Sequence, residues 1–284
     1  FKVSGILETG EAMPTIDVPA SEFDRLDWLP TSWGASAQIT VGSRFKDHVV
    51  AAIKERSNPE ILQLCQHTGW SQFNDELLYL THTGGIGTKG LNLDASCELQ
   101  GPLGDFSLPA PVDPRTLDLE GILEAFRDLQ KDGTALVLLG AAMRAALCHF
   151  QPATCSVFLQ GTTGTFKSAA AGVLQGFWGS KFDGANLPAN WSSTGNALEK
   201  TAFLAKDCLL VVDDFVARGT RQEVAYTHRN AERLLRAQGN QSGRSRMTAK
   251  AEIRNAFYPR GIVMCTGEDV PNGHSLQAQL VIVN

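Results

Sequence analysis

The octapeptide Gly161-Thr162-Thr163-Gly164-Thr165-Phe166-Lys167-Ser168 has the residue types and spacing to hold a chain of phosphates. In such a loop the backbone N–H groups at a helix N-terminus cradle phosphate oxygens. A lysine reaches the β and γ phosphates, and a serine hydroxyl ligates Mg²⁺. Lys167 and Ser168 fill those two positions. The pattern departs from the usual one at Phe166, which stands where a glycine commonly precedes the lysine, and the second glycine, Gly164, comes earlier. Because Gly and Thr also make ordinary strand-to-helix turns, the surrounding sequence has to decide.

Two neighbouring segments favour the phosphate loop. The apolar run Cys155 to Leu159 leads into it, and Leu209-Leu210-Val211-Val212-Asp213-Asp214 is an apolar strand ending in two acids. A Mg²⁺ site needs such a strand, since the metal lies between the loop hydroxyl and a carboxylate beside it. In a motor reading Asp213 holds Mg²⁺ and Asp214 orients or deprotonates the attacking water, one methylene shorter than the more usual Glu. The strand Gly261 to Cys265 ends in Thr266-Gly267-Glu268-Asp269, which makes Thr266 the expected γ-phosphate sensor.

Between Arg218 and Arg260 the chain carries ten basic residues against Glu223, Glu232 and Glu252. Much of that excess suits a solvated helix face. The loop from Gly239 to Arg246 differs, because a Gly-rich segment carrying Arg244 and Arg246 can reach a neighbouring subunit's phosphates or a DNA backbone. Thr83 to Gly90 is also glycine-rich, but no helix-forming text follows it, so a hairpin or loop is expected. The six histidines lack metal-ligand spacing, and the six cysteines form no CxxC pair, reading as reduced packing residues of a cytoplasmic protein.

These residues need an alternating framework to position them. The text predicts helices at Leu117 to Gln130, Thr134 to His149, Ser168 to Gln175, Asn196 to Lys206 and Arg221 to Ala237, interleaved with the strands already named. The expected architecture is α/β, a P-loop NTPase core with a mainly parallel sheet covered by helices. The Pro-rich stretch from Gly101 to Pro114 marks the boundary between residues 1–110, a smaller α+β domain, and the core at 111–284. In the first part, Ala37 to Val41 and Leu77 to Leu80 read as strands. A helix is expected after Ser43 as N-cap, with Phe45, Val49, Val50 and Ile53 on one face.

With 284 residues, 43% of them hydrophobic and 19% charged, the chain can bury a sizeable core. Its net charge of −5 supplies no overall basic field, so nucleic-acid binding has to come from a local patch. The longest apolar run, Ala135 to Leu147, contains Arg144 and is too short to span a bilayer, so no membrane role is expected. The chain starts at Phe1, as expected for a piece of something longer.

Taken together, several segments resemble the domain-of-unknown-function family numbered 927, helicase-like proteins of bacterial mobile elements and phages. They are Trp33-Gly34, His67-Thr68-Gly69-Trp70, Tyr79-Leu80 with Gly84 to Gly87, the phosphate loop, Ser193 to Glu199, the acidic strand end, the Gly239 to Met247 loop, and Pro259-Arg260-Gly261 with Cys265 to Asp269. The resemblance covers nearly the whole chain. It implies a family-specific N-terminal region and a RecA/AAA+-like ATPase core, working as a homo-oligomeric ring, with a hexamer as one form, on DNA in replication of a mobile element. Related motors carry an arginine near a final Ser-Leu-containing strand. Here Ser275 to Gln279 has none, which shifts the expected trans-acting arginine to Arg244 or Arg246.

Three functions fit these residues: an ATP-driven DNA helicase or translocase, an ATP-dependent switch that binds protein partners, and a small-molecule phosphotransferase. No base-reading motif separates ATP from GTP.

Overall fold

The computed structural model describes residues 1–37, 42–58, 63–97, 99–108, 113–129, 133–243, 246–247, 253–254 and 257–284. The chain folds as two compact units, Phe1–Ile61 and Leu62–Asn284.

In the first unit, β1 (Lys2–Ile6) and β2 (Ala12–Asp17) form an antiparallel hairpin, followed by helices α1 (Ala20–Phe23), α2 (Trp28–Trp33) and α3 (Phe45–Arg56). Its core gathers Val18, Phe23, Leu26, Trp28 and Leu29. Val49, Val50 and Ile53 pack against them, three of the four residues expected on the apolar face of α3; Phe45 is not among the residues packed on this core. The expected N-cap, Ser43, does not cap this helix. Arg44 occupies that position in a left-handed conformation, with no side-chain cap. The expected strand Ala37 to Val41 falls, beyond Ala37, outside the described residues.

The second unit opens with β3 (Gln63–Cys65), β4 (Gly69–Phe73), β5 (Glu76–Thr81), β6 (Gly84–Gly87), β7 (Gly90–Asn92) and β8 (Ala95–Cys97). Strands β4 to β7 make an antiparallel meander, so the glycine-rich Thr83 to Gly90 stretch is a hairpin. This meander packs within the same compact unit as the rest of the chain to Asn284.

Beyond it come α4 (Leu119–Leu129), α5 (Thr134–Ala145), β9 (Ser156–Gln160), α6 (Lys167–Gly176), β10 (Ala189–Asn190), α7 (Gly195–Leu204), β11 (Leu209–Phe215) and α8 (Arg221–Asn240). The chain ends with β12 (Arg246–Met247), β13 (Ile253–Arg254), β14 (Ile262–Gly267), α9 (His274–Gln277) and β15 (Leu280–Val283). Five strands form one parallel sheet in the order β10-β11-β14-β9-β15. Central strands of such a sheet are buried on both faces, which is why β9, β11 and β14 read as continuous apolar runs. Helix α5 stops at Ala145 and gives way to turns before the expected end at His149. Ser275 to Gln279 is not a strand: it falls largely in α9, where Leu276 is buried, and the last strand is β15.

Two sets of contacts in this unit tie α6 to β11 and the meander to Asp207, just before β11. Gln175 of α6 is fully buried, donating to Leu209 O (3.1 Å) and accepting from Val211 N (2.9 Å), so its amide serves a stretch of β11 that the two-residue β10 does not reach. Arg260 holds Asp207 at 2.9 and 2.6 Å and donates to Trp70 O, while Tyr79 donates to Asp207 O. Among the described residues, no helix is long and apolar enough to cross a membrane.

Candidate nucleotide site

All the groups that the sequence singles out in the loop and at the acidic strand end gather at the C-terminal edge of the parallel sheet. Strand β9 is buried through Leu159 and delivers the chain into the 161–166 loop, after which α6 begins at Lys167. The loop is fastened from within: Thr165 Oγ1 and Lys167 Nζ both donate to Thr162 O at 2.8 Å. Gly161 N donates to Gly267 O across to β14. A Cβ on Gly161 would come within 2.7 Å of Thr165 Oγ1, and Gly164 adopts a φ of +85°. A side chain at 161 would thus have to displace the Thr165 hydroxyl, and the backbone handedness at 164 favours glycine.

Phe166 resolves the departure from the usual pattern. It sits immediately before α6 at φ 58° and ψ 22°, the left-handed conformation that favours glycine there. The loop thus keeps the turn while carrying a benzyl side chain, which is 81% exposed.

The acidic pair is shaped by a register shift. Between Val212 and Phe215 of β11 two residues, Asp213 and Asp214, stand opposite the single Thr266 of β14. A bulge of this kind bends a strand and re-aims its side chains. Asp214 takes up the extra residue at φ 63° and is exposed, while Asp213 is half-buried. Ser168 Oγ donates to Asp213 Oδ1 at 2.8 Å, and the buried Thr266 hydroxyl donates to the same oxygen. Thr266 Oγ1 also accepts Asp214 N at 3.0 Å. Because β14 lies between β9 and β11, the Thr266 hydroxyl comes between the loop and the acids.

A cavity of about 480 Å³ is bounded by Gly164, Lys167, Ser168, Asp214, Thr266 and Glu268, among others. Helix α6 points its N-terminal N–H groups and positive dipole end toward the loop bordering this space. Among the described residues there is no cluster of three or more His, Cys, Asp or Glu side chains able to hold a metal ion. One hydroxyl and one carboxylate, Ser168 and Asp213, fit instead the sparse protein ligation typical of Mg²⁺, which keeps several waters.

The residues match a known family over part of the chain. Residues 119–256 match the family described as Domain of unknown function (DUF927). That span takes in the loop and both aspartates and ends before Thr266, a narrower region than the near-complete resemblance expected from sequence. No curated protein matches the chain. Its fold is similar to that of a solved structure described as "SCCmec type IV Cch - active helicase", with 14% identity and a TM-score of 0.59. The alignment covers 98% of this chain and 50% of that one, so the chain spans half the length of the helicase it resembles. At this identity the likeness is one of fold.

Two residues given no role by sequence reasoning also belong to the site. Glu268 accepts hydrogen bonds from Thr163 Oγ1 and Arg218 Nη2. The Thr163 bond, with Arg218 and Lys167 nearby, holds the Glu268 carboxyl below its ordinary pKa. An acid three residues beyond a buried strand residue, facing a lysine-bearing loop, is a signal only once the order of the strands is known. Arg244 lies outside the described residues, and of Arg246 only the backbone, in β12, is described.

Proposed function

We propose that this chain is the catalytic region of an ATP-hydrolysing P-loop motor, a DNA helicase or translocase of a mobile genetic element that works as a homo-oligomer. The observation that carries this reading is the hydrogen-bonded set Ser168–Asp213–Thr266 beside Lys167, at the C-terminal edge of a parallel sheet where such sheets bind ligands. In this reading the α6 N-terminus and Lys167 bind the phosphates of ATP, and Lys167 leaves Thr162 O to reach them. Ser168 and Asp213 would hold Mg²⁺, which would supply charge neutralisation to the phosphates. Asp214 orients or deprotonates the attacking water, and Thr266 fixes Asp213 and the backbone of Asp214 relative to each other. Residues 1–110 form the family-specific N-terminal region and 111–284 the core. Arg244 or Arg246 is the arginine offered to a neighbouring subunit's nucleotide.

The test is ATP hydrolysis with and without single-stranded DNA, beside Lys167→Ala. A Lys167-dependent rate that rises with DNA is the expected result. A rate indifferent to DNA favours a protein-binding switch, a phosphorylated acceptor favours a phosphotransferase, and a rate unchanged in Lys167→Ala removes the site itself.

A further inference from the structure

Phe166 is costly as it stands. A left-handed backbone costs an L side chain about 1–2 kcal/mol relative to the right-handed form. The exposed ring recovers little of that by burial. Glycine would meet the same backbone requirement without strain. A bulky residue at positive φ is an outlier, and strain of this kind gathers at ligand clamps. It is therefore the ring, rather than the turn, that needs a role.

Two cavities meet at this ring. One is the phosphate-side space of about 480 Å³. The other, about 1000 Å³, has an apolar wall of Phe126, Leu138, Leu159, Val173 and Leu174, with polar groups such as Gln160, Thr162 and Asn284 also lining it and Lys167 and Glu268 toward the phosphate side. Thr165, Phe166, Lys167, Ala169 and Glu268 border both. A nucleoside triphosphate is divided in the same way, into a charged phosphate chain and a flat base, with a sugar between. A mainly apolar cavity with a few polar groups is the usual environment for such a base. Phe166 stands at the junction, where one ring face can meet the base while Lys167, the next residue, meets the phosphates.

We propose that Phe166 is the nucleobase-contacting residue of this site, packing its ring against the base of a nucleotide seated in the apolar cavity. The proposal rests on the phosphate-loop reading above. Aromatic stacking is tolerant of base identity, so Phe166 distinguishes base-bearing polyphosphates from bare ones more than it distinguishes ATP from GTP.

Calorimetric titration of Mg²⁺–ATP and Mg²⁺–tripolyphosphate into wild type, Phe166→Gly, Phe166→Trp and Lys167→Ala tests it. Phe166→Gly suits the left-handed backbone, so the fold is retained. It is expected to weaken ATP by about tenfold or more while tripolyphosphate changes by less than about twofold. Phe166→Trp keeps the wild-type preference for ATP. Unchanged ATP affinity in Phe166→Gly, or parallel loss of both ligands, overturns the proposal. So does loss of single-stranded oligonucleotide binding with ATP affinity intact, which assigns the ring to DNA. If Lys167→Ala binds both ligands as wild type does, the phosphate-loop reading itself fails, a pattern that no outcome of the Phe166 variants reproduces.

Discussion

Thr266 and Asp213 are joined by a hydrogen bond at the point where β11 and β14 slip out of register, and the same Thr266 oxygen accepts the N–H of Asp214. One hydroxyl thus fixes both carboxylate-bearing residues, one through its side chain and the other through its backbone. Thr266→Val keeps the volume and removes both bonds, leaving the Asp214 N–H without this acceptor. The expected loss in kcat is about 10- to 100-fold, the equivalent of about 1–3 kcal/mol, with nucleotide affinity changed by less than about threefold. Steady-state hydrolysis beside equilibrium ATP binding measures the two separately. A kcat within about twofold of wild type would remove Thr266 from the catalytic arrangement.

Asp214 allows a second separation of chemistry from stability. Its φ of 63° is tolerated by Asn and Asp and resisted by β-branched residues. Asp214→Asn is therefore expected to keep Tm within about 2 °C of wild type while hydrolysis falls by about 10²- to 10⁴-fold. Asp214→Val is expected to cost a further 1–3 kcal/mol or so in stability through its backbone. Thermal unfolding of the two variants side by side checks this, and equal stabilities would mean that the bulge relaxes to accept a branched side chain.

Much of this site is legible in the sequence because its elements announce themselves locally. A buried strand followed by Gly and Thr and then an Ala-rich helix leaves little choice for 155–176, and Val211-Val212-Asp213-Asp214 marks where a strand reaches the sheet edge. What local patterning does not carry is pairing. Strand β10 has two residues and no apolar run, and it is defined by its bonds to β11. The left-handed turn at Phe166 runs against that residue's own preference, and the loop it closes bonds to β14 through Gly161, 106 residues from Gly267. The Asp213–Asp214 bulge likewise depends on Thr266, 52 residues beyond Asp214. Glu268 and Arg218 stay silent until β11 and β14 are known to be neighbours.

The Asp207–Arg260 pair predicts how firmly the meander is tied to the core. Asp207 is fully buried, and Arg260 is partly buried, with its guanidinium shared between that carboxylate and Trp70 O. Arg260→Met strands a buried charge and is expected to cost about 3–5 kcal/mol. The double variant Asp207→Asn, Arg260→Met removes the stranded charge and should recover part of that loss. Asn is chosen because residue 207 also has a positive φ. Urea unfolding of both variants decides the matter: a single variant costing less than about 1 kcal/mol would show that the pair contributes no net linkage.

Lys206, beside this pair, gives a stability signal that depends on pH. Its ammonium lies 4.4 Å from the Phe203 ring centroid and 4.1 Å from that of Tyr258, and the residue is buried. Burial, with Arg260 nearby, lowers its pKa from 10.5 to about 8, and Asp207 offsets only part of this. Because the folded value lies below the unfolded one, the unfolded chain binds more protons between the two. The destabilisation from charging Lys206 is therefore fully present below about pH 8 and is relieved as pH rises toward 10.5. Lys206→Met keeps the aliphatic stem and carries no charge, so its stability advantage over wild type is expected to shrink across that window. Comparing the two proteins in urea at pH 8, 9 and 10 cancels the titration of buried thiols such as Cys208, whose pKa burial pushes up to about 12. A difference that stays constant or grows with pH would mean that the aromatic rings stabilise the ammonium enough to offset its desolvation.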